Sequence, residues 1–157
     1  MDPAVTLRPA LDADLAFLQQ VYASTRMEEL AVTGWSDEQK QQFCLSQFRA
    51  QDSHYRAHYP NARYQIIQWQ GKDAGRLSTD HQPEELHLLD VALLPAYRGK
   101  GIGTVLLKDF QQQAAAANVP LTIYVERFNP ALRLYQRLGF QQMKDEGVYL
   151  LMRWKAS

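Results

Sequence analysis

The fold is decided by the stretch Tyr97-Arg98-Gly99-Lys100-Gly101-Ile102-Gly103-Thr104, which lies between an apolar run and a segment with helical periodicity. The apolar run extends from Leu86 to Leu94 and stops at Pro95, which predicts a mostly buried strand. After the stretch, apolar residues recur at helical spacing, so the glycines open an amphipathic helix. The apolar positions of this helix are Ile102, Val105, Leu106, Phe110, Ala114 and Ala117.

This glycine-rich stretch has the properties of an anion-binding loop. Gly99, Gly101 and Gly103 can take backbone conformations closed to other residues and let a ligand approach their amides. The first N–H groups of a helix have no internal partner, and together with the helix dipole they attract phosphate. Each amide bond to a charged oxygen contributes roughly 1.5–3 kcal/mol, so three or four such bonds suffice for a site. The alternative is a plain glycine-rich turn.

Two common phosphate-binding motifs do not fit the loop. The dinucleotide motif Gly-x-Gly-x-x-Gly requires a third glycine where the chain has Thr104, and no glycine is followed by the Lys-Ser or Lys-Thr of a P-loop. The pattern that does match is Arg-x-x-Gly-x-Gly at Arg98, Gly101 and Gly103. In this pattern the chain resembles the GNAT superfamily of acetyl-CoA-dependent N-acetyltransferases, which bind pyrophosphate there.

A second segment, from Asn129 to Phe140, resembles the short helix that follows the fifth strand in that family and ends at Gly-Phe. Its residues predict this helix by themselves, because Asn129 suits an N-cap, Pro130 the first helical position and Gly139 a left-handed stop. Alternation from Leu121 to Glu126 predicts the strand before it. The two motifs occur in the family order and cover roughly the second half of the chain.

The remaining elements also follow the order of that fold. Further strands are predicted at Val5–Arg8, Tyr64–Gln70, Gly75–Thr79 and Phe140–Trp154. A hairpin turn is predicted at Gly71–Asp73, and the capping box Ser36–Gln39 opens a second helix. The resemblance implies an α/β GNAT fold, with a mixed, mostly antiparallel sheet, splayed central strands and helices on both faces. We expect residues 1–157 to form a single N-acetyltransferase domain.

Composition and charge restrict the function classes. The chain has 157 residues, 46% hydrophobic content and no formal net charge, as expected of one globular domain. Basic residues are scattered, so we predict no nucleic-acid partner. The N-terminus lacks a signal-like pattern and no span approaches about 20 apolar residues, so we predict no membrane partner and a cytoplasmic location. The single cysteine, Cys44, is expected in the core, and we predict no metal.

The resemblance implies acetyl-CoA as the cosubstrate and indicates where it would bind. In the family, the pantetheine arm pairs with the open edge of the fourth strand, the pyrophosphate lies on the loop, and the second motif begins with an asparagine. The corresponding cofactor-binding residues here are Val91, Ala92, Leu93, Arg98, Gly99, Lys100, Gly101, Ile102, Gly103, Thr104 and Asn129.

Acetyl transfer to an amine requires two proton transfers. An amine with a pKa near 10.4 must first lose a proton, which costs roughly 4–5 kcal/mol at pH 7. The departing thiolate must then gain a proton, and a placed acid contributes roughly 10²–10⁴-fold to the rate. The family usually uses a tyrosine as this acid, and Tyr135 occupies the matching position. The alternative is that Tyr135 only packs in the helix.

The general base has several candidates. Histone-type relatives use a glutamate thirteen residues before the loop arginine, and the same count from Arg98 reaches Glu85. His87 would share the strand face of Glu85, whereas Asp90 would point the other way in a regular strand. Glu85 could equally be a solvated strand end and His87 a packed residue. A chain of water molecules is a further alternative.

The acceptor site of the family lies around the first two helices, where this chain carries Glu28, Glu29 and Trp35. Carboxylates beside an aromatic ring suit a cationic amine, although a solvated helix end would look the same. Two hypotheses follow. One is an active N-acetyltransferase, with a small-molecule amine favoured over a protein N-terminus or lysine. The other is a non-catalytic acyl-CoA-binding or interaction module. A homodimer is compatible with both.

Overall fold

The computed structural model describes residues 4–157 apart from the side chain of Glu28, so the prediction for that side chain lies outside the described residues. The strands are β1 Val5–Pro9, β2 Arg63–Trp69, β3 Lys72–His81, β4 Leu86–Leu93, β5 Leu121–Glu126, β6 Gln141–Asp145 and β7 Tyr149–Trp154. The α-helices are α1 Leu15–Leu30, α2 Asp37–His58, α3 Ile102–Ala117 and α4 Leu132–Arg137. The strands form one sheet in the order β1-β2-β3-β4-β5-β7-β6. Only β4 and β5 pair in parallel among the described strands, which confirms the predicted fold class.

Helices cover both faces of the sheet. On one face, Leu88 and Ile123 of the central strands are buried with Leu106 and Phe110 of α3 in the main core. On the other face, α1 and α2 pack on β3 and β4 and on each other. The smaller cluster between these two helices consists of Tyr22, Leu30, Cys44 and Phe48. The predicted burial of Cys44 is therefore confirmed.

The sheet opens between its two central strands. β4 and β5 pair at Leu86–Leu88 and Leu121–Ile123 only, as far as the described residues show. Immediately after this point Leu89 forms a β-bulge, because Thr79 pairs with Leu88 but Ser78 pairs with Asp90. A bulge bends its strand and increases the local twist. The predicted splay of the central strands is therefore present, and β4 beyond Leu89 has an open edge.

The bulge also changes the direction of Asp90. Cross-strand partners lie on the same face of a sheet. His87 pairs with Asp80 of β3, and Asp90 pairs with Ser78, which lies two positions before Asp80 on β3. Both side chains therefore face α1 and α2, and the expectation that Asp90 points away from His87 was wrong. The extra residue, Leu89, shifts the alternation of β4 by one position.

Two predicted boundaries can be compared with the structure. The Ser36 hydroxyl accepts a hydrogen bond from the Gln39 amide at 3.2 Å, and the Gln39 side chain accepts one from the Ser36 amide at 2.9 Å. This confirms the capping box that opens α2. The β2–β3 turn consists of Gln70 and Gly71, both with positive φ. The predicted turn Gly71–Asp73 was therefore misplaced, because a two-residue turn of this kind leaves its flanking residues in the strands.

Candidate active site

The glycine-rich loop connects the end of β4 to the start of α3. Gly99 and Gly101 have φ of 74° and 80°, in the left-handed region that favours glycine. Gly101 immediately precedes α3, so the free amides of the first turn of that helix lie at the loop. The Arg98 Nε donates a hydrogen bond to the Leu93 carbonyl oxygen at 3.0 Å and so ties the loop to β4. Arg98 to Gly101 are exposed, as a ligand-binding loop requires, whereas Gly103 and Thr104 are partly buried and Ile102 is buried in the main core.

The open edge of β4 begins beside this loop. The Leu94 amide donates to the Ala74 carbonyl oxygen of β3 at 2.9 Å. Because main-chain groups alternate in direction along a strand, those of Ala92 face β3 as well, while those of Val91 and Leu93 face the opening. The Leu93 carbonyl oxygen already accepts from Arg98. Both main-chain groups of Val91 and the Leu93 amide therefore remain for an extended ligand.

Tyr135 lies on α4 and is held by the way that helix ends. Gly139 has φ of 94°, as the predicted left-handed stop requires. The Phe140 amide donates to the Tyr135 carbonyl oxygen and the Gly139 amide to that of Gln136, which is a Schellman motif. The rings of Tyr135 and Phe140 pack edge to face, 5.6 Å between centroids. Burial, and next the charge of Asp90, raise the pKa of Tyr135 to about 12, so the phenol keeps its proton at neutral pH.

Asn129 lies in the turn between β5 and α4. Its Oδ1 accepts a hydrogen bond from the Ala131 amide at 2.9 Å. The helix itself begins at Leu132, two residues later than the predicted first position, Pro130. Asn129 nevertheless caps a free amide ahead of the helix, in the manner of an N-cap residue.

His87 lies at the bottom of the opening. Its Nδ1 is 2.8 Å from the Thr122 hydroxyl and 3.9 Å from the Glu85 Oε1. Its ring contacts Tyr59 and Tyr124, with centroids 6.0 Å and 5.7 Å away. Burial lowers the pKa of His87, against the opposing charges of Glu85 and Asp80, so the ring is neutral at pH 7. The structure thus brings together the two candidate bases that the sequence indicated.

An ion pair with a buried arginine lies at the bulge beside this site. Arg76 of β3 pairs with Asp90, and its Nη2 donates to Gln51 of α2 at 3.1 Å. The Tyr55 hydroxyl donates to the Leu89 carbonyl oxygen at 3.3 Å. These contacts tie α2 to the bulge. These contacts were not predicted from the sequence. Each of the two strand patterns nevertheless contains one charged residue near its middle, Arg76 or Asp90, and this could have indicated an ion pair.

The predicted acceptor residues lie around α1 and α2. Glu29 is exposed, and its carboxylate is 3.3 Å from Nη1 of Arg26. Trp35 is half-exposed and packs edge-on against Phe43 of α2 at 5.3 Å. In a hydrophobic staple, the residue before the N-cap packs on the fourth residue of the helix, which here is Lys40. The contact of Trp35 with Phe43 lies about one helical turn further along α2.

Four further residues near the opening were not singled out from the sequence. Arg26 also pairs with Glu126, the last residue of β5, at 3.4 Å. Tyr149 of β7 pairs with Glu126 across the sheet. Tyr124 contacts His87. The polar alternation of Tyr124 and Glu126 along β5 was the signal that could have identified two of them.

Two negative findings concern the described part of the chain. No helix there is long and apolar enough to cross a membrane. Nor do residues 4–157, as described, contain a group of three or more His, Cys, Asp or Glu side chains placed to hold a metal ion.

The chain is similar to known proteins in sequence and in fold. Two curated relatives are N-alpha-acetyltransferases, one from Sulfurisphaera tokodaii, 39% identical over 62 residues, and one from Saccharolobus solfataricus, 33% identical over 79 residues. Each alignment covers less than half of either protein, namely 37% and 43% of this chain and 36% and 47% of the relatives' own lengths. The PaiA N-acetyltransferase of Thermoplasma acidophilum, solved in complex with coenzyme A, has the same fold, with a TM-score of 0.71 at 18% identity over 97% of this chain and 99% of that one. The model of the acetyltransferase (GNAT) family matches residues 24–140, well over half of the chain, which therefore belongs to this family.

Proposed function

We propose that the protein transfers an acetyl group from acetyl-CoA directly to a primary amine within a ternary complex. The observation that carries this proposal is the glycine loop beside the open edge of β4, with Tyr135 on the helix that follows β5. The glycine loop precedes α3, the edge of β4 is unpaired beyond its bulge, and a neutral Tyr135 lies on the helix that follows β5. An anion-binding loop beside an unpaired strand edge fits a ligand with a pyrophosphate and an amide-containing arm.

The cosubstrate would bind through main-chain groups. The amides from Gly99 to Thr104 would hold the pyrophosphate, with Arg98 and Lys100 adding positive charge. The Nζ atom of Lys100 lies 5.3 Å from the centroid of the Trp69 ring. This contact is weak, so Lys100 can leave it to pair with an anion. Val91 and Leu93 would pair with the amides of the pantetheine arm. Asn129 would border the arm at the start of the second motif.

His87 is the group best placed to take a proton from the amine. Its Nδ1 faces both the Thr122 hydroxyl and the Glu85 carboxylate, which favours a proton on Nδ1. The Nε2 lone pair is then free to accept a proton as the amine nitrogen attacks the carbonyl carbon of the thioester. Glu85 acts through His87 in this scheme, by fixing its tautomer. Tyr124 borders the same space and helps to hold the amine.

Tyr135 completes the reaction. When the bond between the carbonyl carbon and sulfur breaks, the thiolate takes the phenolic proton, and the tyrosinate recovers a proton from solvent. The products are the acetylated amine and the free thiol, and one proton from the original ammonium group is released in the cycle. The raised pKa of Tyr135 keeps this acid protonated before each turnover.

The acceptor has two candidate classes. The N-alpha-acetyltransferase relatives favour a peptide α-amine. The carboxylates of Glu29 and Glu126 beside Tyr149 favour a cationic small amine. We favour the small amine.

One experiment tests the proposed function. Purified protein is incubated with acetyl-CoA and a panel of amines and peptides, and free thiol is measured, while calorimetry measures acetyl-CoA binding. Thiol release that depends on an amine supports an acetyltransferase. Binding without thiol release for any acceptor would favour the non-catalytic acyl-CoA-binding module. Absence of binding to the folded protein would contradict both.

A further inference from the structure

The acceptor side of the opening ends in an ion-pair network that takes no part in the proposed proton transfers. The Nη1 atom of Arg26 lies 3.3 Å from a carboxylate oxygen of Glu29 and 3.4 Å from one of Glu126. Strong charge-assisted hydrogen bonds are shorter, about 2.7–2.9 Å. The side chains of Arg26 and Glu126 are 24% and 37% exposed. A cation with better geometry can therefore replace the guanidinium at Glu126.

Glu126 lies on the same face of β5 as the residues that contact the proposed base, His87. Alternate residues of a strand share a face, so Thr122, Tyr124 and Glu126 point to the same side of β5. Thr122 and Tyr124 both contact His87. One face of β5 therefore connects the proposed base to the carboxylate of Glu126.

An aromatic ring accompanies this carboxylate. Tyr149 pairs with Glu126 across β5 and β7, so the two side chains share a face. Tyr149 is 43% exposed, and its pKa is raised by burial and then by the charge of Glu126. A carboxylate and an aromatic ring side by side can hold an ammonium group through ion pairing and cation–π attraction. Arg26 makes a contact of the same type, with its guanidinium 5.5 Å from the Tyr22 ring centroid.

The spacing along β5 limits the length of the ligand. Two residues of a strand span about 6.4–6.8 Å, which is the spacing of the Tyr124 and Glu126 backbone positions along β5. An amine that reacts beside His87 and Tyr124 would therefore have its second cationic group roughly 6–7 Å away. A linear diamine with four carbons has five bonds between its nitrogens and spans about 6 Å when extended. A monoamine of the same length would leave Glu126 without a new partner.

We infer that Glu126 determines acceptor specificity by binding the second ammonium group of a linear diamine, and that Arg26 takes the place of this group when no acceptor is bound. This inference rests on the proposed function and narrows its acceptor. Arg26 competes with the acceptor, so its removal strengthens binding, whereas loss of the Glu126 charge weakens it.

The test compares 1,4-diaminobutane with butylamine, which has the same chain and only one nitrogen. KM and kcat are measured for the wild type, Glu126→Gln and Arg26→Met. We expect the wild type to have a KM roughly 10-fold lower for the diamine. Glu126→Gln should remove this preference by raising only the KM of the diamine. Arg26→Met should lower that KM by roughly 3- to 10-fold. Glu38→Gln, which removes one negative charge at the start of α2, is the matched control and should leave both KM values unchanged.

The outcomes separate this inference from the proposed function. An equal preference for the diamine in the wild type and in Glu126→Gln would overturn the inference about Glu126. Activity on either amine would still support the proposed acetyltransferase. Acetylation of peptide α-amines with both short amines inert would also overturn it and leave the proposed function standing. Failure of every acceptor in a protein that binds acetyl-CoA would overturn both. Melting temperature and acetyl-CoA affinity confirm that each variant is folded.

Discussion

Tyr135→Phe is the sharpest test of the proposed chemistry. The substitution keeps the ring and its edge-to-face contact with Phe140, which lies 5.6 Å away, and deletes only the hydroxyl. Without the acid, kcat should fall by roughly 10–10⁴-fold, equivalent to about 1.4–5.4 kcal/mol of transition-state stabilisation. The lower bound allows for partial replacement by water. Acetyl-CoA affinity should stay unchanged, because the lost interaction forms only in the transition state.

The folded state should barely respond to this change. A single hydroxyl contributes at most about 1.5 kcal/mol through hydrogen bonding, and a chain of this size loses about 2–4 °C of melting temperature for each kcal/mol. The melting temperature should therefore fall by no more than about 6 °C. A larger loss with unchanged kcat would show that Tyr135 is structural.

The assay follows free thiol under saturating acetyl-CoA and amine, together with calorimetry and thermal melting. Tyr64→Phe is the matched control, because it deletes the hydroxyl of another tyrosine, one whose oxygen is buried and has no hydrogen-bond partner among the described residues. This control should retain wild-type kcat and be as stable as the wild type or more so. Wild-type turnover in a folded Tyr135→Phe protein that binds acetyl-CoA would refute the assignment and direct attention to a water molecule near His87.

Three further predictions concern the loop, the base and the fold. Gly101→Val should weaken acetyl-CoA binding by roughly 10-fold or more, because φ of 80° strains a branched residue and displaces the amides. Gly34 has φ of 74°, and a Cβ added at either glycine meets no described atom within 4 Å, so Gly34→Val should leave the calorimetric affinity unchanged. Burial lowers the pKa of His87 below 6.5, so kcat/KM, expressed for the unprotonated amine, should rise with pH through a midpoint below 6.5. This limb should be absent in the pH profile of His87→Gln, and an identical limb in the variant would exclude His87 as the base. Gly75→Ala should cost roughly 1–3 kcal/mol, measured by urea unfolding, because a Cβ there would overlap the carbonyl oxygen of Ala92; unchanged stability would contradict this packing.

Local patterns in the sequence determined the cofactor half of the proposed site. The left-handed conformations of Gly99, Gly101 and Gly139 and the start of α3 depend on residues adjacent in the chain. Glycine, helix periodicity and capping act over a few residues, so the pattern alone predicts them. The order of strands and helices followed from the same kind of local pattern, and the fold class from the resemblance of the two motifs to the GNAT superfamily.

Only the tertiary structure decided the arrangement on the acceptor side. The face of Asp90 depends on the bulge at Leu89, which exists because of how β3 and β4 pair. The contact between Arg26 and Glu126 joins residues 100 positions apart. Alternation along a strand is a local rule that holds only while the pairing register is unbroken. Contacts between distant segments depend on where those segments cross, and that is fixed by packing of the whole chain rather than by any short pattern within it.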